Sequence, residues 1–162
     1  SVLYRKRDLT SDEEELFLDP NALSEDGTVA LNTATFSKDG SLFAYSLASA
    51  GSDWVEIFVM DTESKTLLSD HIKWVKFSGA SWSPDNKGFY YSAYDAPKEG
   101  VYSAQNTNQK VYYHRIGTSQ SDDTLIYADP SRPLHYFHGG ESEDGRWLFV
   151  TGSAGTSGTE IL

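Results

Sequence analysis

The chain has 162 residues and sets 13 basic against 24 acidic side chains, a formal net charge of -11. That balance speaks against nucleic-acid binding, which needs clustered Lys and Arg on one face, and no apolar run approaches the roughly 18 residues of a membrane helix. The absence of cysteine excludes disulfides and thiolate metal sites and fits a reducing compartment, the cytoplasm.

Aromatic residues make up 14% of the chain, which favours sheet over helix. In chain order, residues 2–7 and 15–19 read as two strands joined by a polar, acidic turn from Thr10 to Glu14. The breakers Asp19-Pro20-Asn21 and Ser24-Glu25-Asp26-Gly27 make 20–28 a loop. Residues 29–36 and 42–48 read as strands on either side of Ser37-Lys38-Asp39-Gly40. Next comes an alternating run, with Trp54, Glu56 and Phe58 on one face and Val55, Ile57 and Val59 on the other. Asp61 to Lys65 is a turn, and 66–69 a short outer strand.

The plan then repeats. Residues 74–82 lead into Ser83-Pro84-Asp85-Asn86, and 88–94 lead out. Ala96 to Asn108 is rich in Gly, Asn, Gln and Ser and reads as a mobile loop, followed by strands at 110–116 and 124–128. After the breakers 129–133, a strand begins near 135, turns at Ser142-Glu143-Asp144-Gly145 and leaves through 147–151. Gly152 to Gly158 reads as flexible, and 159–162 as the start of another strand.

One tetrapeptide organises all of this. Ser37 to Gly40, Ser83 to Asn86 and Ser142 to Gly145 begin 46 and then 59 residues apart, and each precedes an apolar run ending in Ser or Thr. Ser and Pro suit the start of a type I turn, Asp takes the bridge conformation, and Gly or Asn takes the left-handed position after it. Such a turn with a bulge joins two antiparallel strands. Four strands in each repeat of roughly 40–50 residues is the signature of a β-propeller blade. The fold expected is therefore all-β, an incomplete propeller of four-stranded antiparallel blades. Residues 1–20 are the outer half of one blade, 29–70 and 74–129 are full blades, and 135–162 start a further one. Because propellers close with typically four to eight blades, the expectation is a fragment of a longer propeller, or a piece that closes by homo-oligomerising through its open edges.

Four phrases in the same order and spacing resemble the propeller of the prolyl oligopeptidase family. They are Phe17 to Ser24 (FLDPNALS), Gly51 to Val55 (GSDWV), Val75 to Ser78 (VKFS) and Gln109 to His114 (QKVYYH). The resemblance covers nearly the whole chain. It implies a serine peptidase that cuts short peptides after proline, in which an α/β-hydrolase domain carries the catalytic Ser, Asp and His and the propeller gates access. It implies no catalytic residue and no cofactor within these 162 residues, which alone are expected to be inactive. It carries over one position: Phe77 resembles a propeller Phe that lines the substrate cavity. The other reading of Phe77 is core, packed between blades.

Other candidates are weaker. Gly152 to Gly158 lacks the Gly-x-Ser-x-Gly spacing of a nucleophile elbow, and it lacks the Lys and helix start of a phosphate loop. His135 and His138 fall on opposite faces of a strand, and His71 and His114 stand alone in sequence, so no metal site is expected. Asp12 to Glu15 and Asp122-Asp123 read as solvated charge. Trp54, Trp74, Trp82 and Trp147 lie in strand-like runs and read as core. The rival function is a freestanding, self-assembling propeller module used for binding or scaffolding.

Overall fold

A computed structural model describes residues 2–24, 27–49, 51–96, 106–155 and 157–162. Most of the proposed loop from Ala96 to Asn108, and the middle of the Ser24 to Gly27 turn, lie outside the described residues.

Thirteen strands follow one another among the described residues: β1 (Leu3–Arg5), β2 (Glu15–Leu18), β3 (Val29–Phe36), β4 (Leu42–Ser49), β5 (Trp54–Asp61), β6 (Leu67–Lys76), β7 (Ser81–Trp82), β8 (Gly88–Ala93), β9 (Lys110–Arg115), β10 (Thr124–Ala128), β11 (His135–Glu141), β12 (Leu148–Ala154) and β13 (Ser157–Ile161). Two short 3-10 turns, Pro20–Leu23 and Gln120–Asp122, interrupt loops that carried no sign of helix in the sequence. Every strand pairing is antiparallel. β1 and β2 form a small hairpin, and β11, β12 and β13 a three-stranded sheet. Between them lies an eight-stranded sheet in the order β10-β9-β8-β6-β5-β4-β3, with β7 also on β8. The fold is all-β and has the architecture of propeller blades.

The three repeated turns share one hydrogen-bond plan. In each, the fourth residue's N–H donates to the carbonyl of the first, over 2.9 Å (Gly40 to Ser37), 3.0 Å (Asn86 to Ser83) and 2.9 Å (Gly145 to Ser142). In each, the serine hydroxyl donates to the aspartate two residues on, at 2.8, 2.7 and 2.7 Å. The aspartate also accepts the next turn amide, from Ser41, Lys87 or Arg146. Those bonds hold all three carboxyls below the usual carboxylate range. Gly40, Asn86 and Gly145 have φ of +74°, +59° and +67°, the left-handed region that Gly and Asn tolerate. The turns also meet one another. The Lys38 ammonium donates to the Glu143 carbonyl at 2.8 Å, and the Asp39 N–H to Asn86 Oδ1 at 3.1 Å.

Strand alternation then sends alternate side chains into different interfaces. Phe43, Tyr45 and Met60 pack with Phe17 and Leu18 of β2. Ala44, Val55, Ile57 and Val59 face the other way, against Ile72, Val75, Phe89, Tyr91 and Ala93. A third cluster, Val111, Phe137 and Val150, joins β9 to the last sheet. All six residues of β8 are buried, because sheets cover both of its faces. The first hairpin is tied down by the Arg5 guanidinium, which donates to Glu15 and to the Thr62 and Glu63 carbonyls.

Two segments differ from the sequence reading. β6 runs on to Lys76 through residues that appeared to separate two strands, and Val75 pairs with both Val55 and Ala93, so β6 belongs to both neighbours. Gly152 to Ala154 is strand rather than loose loop: it finishes β12 and pairs with β11 and β13.

Candidate functional site

Towards the end of β6 and just after it, the chain turns a corner on two bulky residues with left-handed backbones, Trp74 (φ +62°) within the strand and Phe77 (φ +55°) beyond it. A large aromatic residue has no intrinsic reason to sit there, and each instance costs on the order of 1–3 kcal/mol. The corner turns the Phe77 ring out of the core, leaving it 50% exposed. The ring borders two clefts. The first, about 440 Å³, is lined also by Asn32, Thr33, Ser52, Asp53, Ser78 and His138. The second, about 680 Å³, is lined by Lys76, Tyr94, Leu134, His135, Tyr136 and neighbours.

Two contacts define the ring's position. Tyr136 of β11 meets Phe77 edge to face, with centroids 5.1 Å apart and planes at 75°. The Lys76 ammonium lies 5.2 Å from the Phe77 centroid and 5.5 Å from that of Trp54, a cation over two rings. The same ammonium pairs with Asp53 at 3.3 Å. Trp54 meets both Trp74 and Tyr94 edge on, at 5.9 and 5.8 Å. Burial, and after it Tyr136, push the Tyr94 hydroxyl up to about 12, so it stays a neutral donor at physiological pH.

These walls offer recognition: aromatic rings, the hydroxyls of Thr33, Ser52 and Ser78, and one imidazole in each cleft, His138 and His135. No group of three or more His, Asp or Glu that could hold a metal occurs among the described residues. Nor is any helix there long and apolar enough to cross a membrane.

Of the residues singled out in the sequence, Phe77 lies at the clefts. His135 and His138 flank it on opposite sides, as their odd spacing on β11 requires. Tyr94 and Tyr136 carry no distinguishing signal in the sequence, because strand tyrosines look alike until the register is known. Trp147 is 63% exposed rather than core, and Trp54 and Trp74 wall a surface cleft. Only Trp82 of the four packs on the central cluster. His114 and Asp123 are neither isolated nor solvated. His114 Nδ1 lies 2.7 Å from Asp123 Oδ1 and its Nε2 2.9 Å from Asp70 Oδ1, with all three side chains closed off from solvent.

Residues 1–162 match the family model described as the prolyl oligopeptidase N-terminal β-propeller domain. The chain belongs to the prolyl oligopeptidase family. It is 45% identical to a prolyl endopeptidase of Elizabethkingia miricola over 162 residues, covering 99% of this chain and 23% of the relative. It is 40% identical to prolyl oligopeptidase A of Galerina marginata, covering 93% and 24%. Among solved structures, prolyl oligopeptidase B of the same fungus, bound to a 35mer hydrolysis and macrocyclization substrate, superposes with a TM-score of 0.86 at 31% identity, covering 99% of this chain and 25% of that one. The chain thus spans about a quarter of the length of these prolyl oligopeptidases, and the match lies in their propeller domain.

Proposed function

We propose that this chain is the propeller portion of a serine peptidase that cleaves short peptides after proline, and that it gates and lines the substrate cavity while an α/β-hydrolase domain elsewhere in the protein supplies the chemistry. Family membership supports the peptidase assignment. The observation that carries the cavity role is Phe77, half exposed between two clefts on a strained corner. Proline-containing segments are stiff and present an apolar ring, and aromatic-lined grooves bind such segments. The freestanding-module reading is not favoured, since each relative carries this segment within a much longer chain. We read the blades as 1–20, 29–70, 74–129 and 135–162. The sheet pairings support setting 1–20 and 135–162 apart, while β6 crosses the second boundary and joins 29–70 and 74–129 into one eight-stranded sheet. We further infer a cytoplasmic enzyme, in keeping with a chain free of cysteine; subcellular fractionation tests this.

The test of the cavity role is Phe77→Ala in the full-length protein, assayed on a short proline peptide. Losing one aromatic contact of about 1.4 kcal/mol raises KM roughly tenfold with kcat little changed. Unchanged kinetics would remove Phe77 from the cavity.

A further inference from the structure

Gln109 opens β9's approach with a side chain entirely closed off from solvent. Its amide is satisfied at both ends. Oε1 accepts from the Phe137 N–H at 2.7 Å, and Nε2 donates to the Lys76 carbonyl at 2.9 Å. The two partners differ in kind, one a donor and one an acceptor, so they fix the orientation of the amide. Ser92, also buried, makes a second bridge. Its hydroxyl donates to the Phe137 carbonyl at 2.5 Å, and its N–H donates to Ser78 Oγ at 2.9 Å.

The placement of these four bonds is specific. Lys76 and Ser78 flank Phe77, and Phe137 follows Tyr136. The buried amide and hydroxyl therefore tie both neighbours of one cleft ring to the backbone beside the other. Phe137 lies on β11, an edge strand of its sheet, so its N–H and C=O have no strand partner on that side. Buried backbone groups need partners, and here they come from side chains of the preceding blade.

We infer that Gln109, assisted by Ser92, is a positioning residue that holds the Phe77–Tyr136 ring pair in the geometry the substrate meets. The inference rests on the cavity reading of Phe77 given above. The left-handed backbone at Phe77 relaxes unless its surroundings fix it, and the tie to Lys76 lies one peptide bond away. Glutamine suits this place: a carboxylate accepts but cannot donate, methionine does neither, and asparagine is a methylene shorter.

The experiment is a double-mutant cycle in the full-length protein. Gln109→Met removes both bonds at similar length, and Gln109→Glu keeps the bond from Phe137 and loses the one to Lys76. Each is combined with Phe77→Ala, and KM and kcat are measured on a short proline peptide. Each Gln109 variant alone is expected to raise KM about fivefold with kcat held, as a displaced contact would. In the Phe77→Ala background it should raise KM much less, because one ring of the pair it positions is gone. An equal rise in both backgrounds, or lowered thermal stability with KM untouched, would reduce Gln109 to structural support and overturn the inference. Should Gln109→Met fail to fold, Ser92→Ala tests the same bridge and must show the same non-additivity. A Phe77→Ala protein with normal KM sinks the cavity reading and the positioning role together. A Phe77→Ala defect with normal Gln109 variants sinks the positioning role alone.

Discussion

His114 is fully enclosed, yet each ring nitrogen meets a carboxylate, and only an imidazolium can donate to both. The surroundings extend the network, leaving Asp70 Oδ2 as a buried oxygen with no hydrogen-bond partner among the described residues. Asp70 Oδ1 also accepts the Gly117 N–H at 2.6 Å, and Asp123 Oδ2 accepts the Tyr91 hydroxyl at 2.6 Å. Burial alone would lower the His114 pKa, but hydrogen bonds and charge from Asp123 and Asp70 outweigh it and leave it raised. A folded value above the unfolded one means that the stabilisation is complete below the unfolded pKa, about 6.5. It fades as pH rises through the folded value. We predict that hydrogen-exchange protection of the β9 amides, corrected for intrinsic rates, declines above neutral pH in the full-length protein. In His114→Gln, protection should be lower by about 3–5 kcal/mol, because two buried carboxylates lose their counter-charge. It should also lose the decline above neutral pH. A wild-type profile that rises with pH would contradict the assigned charge state.

At the scale of elements, the turn tetrapeptide does most of the organising, and it acts through backbone conformation as well as hydrogen bonds. Gly40 has φ +74° and open space where a Cβ would lie, so substitution there isolates the backbone preference from steric clash. Gly40→Ala should destabilise the β3–β4 hairpin by about 1–2 kcal/mol, read as lost protection of the Ser37 and Leu42 amides. Unchanged protection would mean that the serine–aspartate bonds alone set the turn. Turns of this kind were legible in the sequence because their cause is local: Ser, Asp and Gly each supply one piece of the geometry within four residues. The alternation of β5 was legible for the same reason, and Val55, Ile57 and Val59 do share one interface. The course of β6 was not legible. It depends on aromatic residues at Trp74 and Phe77 taking left-handed backbones, against their own preference. Nor could sequence show that His114, Asp70 and Asp123 converge, since their contacts span 44 and 9 positions. The candidate site was legible at Phe77 only through family resemblance; Tyr94, Tyr136 and Gln109 join it through strand register and blade packing.

Across the whole molecule, three apolar clusters hold the stack, one between the two halves of the eight-stranded sheet and one at its junction with each smaller sheet, and the outermost sheets keep apolar side chains facing solvent. Ile161 is 74% exposed, and Leu148, Phe149 and Leu162 between 42% and 46%. At the other end of the stack Tyr4 is 61% and Leu16 48% exposed. Inside the stack, equivalent strand positions such as Ile57, Val59 and Val111 are closed off almost entirely. Exposed apolar faces and unpaired strand edges are association hazards, and in a closed propeller each blade covers the next. Residues 1–162 expressed alone should therefore associate as concentration rises, seen as growth of the weight-average mass in sedimentation equilibrium. Phe149→Lys combined with Ile161→Glu should lower that mass toward the monomer, because both positions stand on the face of the last sheet opposite Val150, where charge opposes stacking without touching the three internal clusters. A segment that stays monomeric throughout the concentration series would show that these faces are adequately hydrated as they are, and that blade stacking in the longer family members rests on something other than their apolar surface.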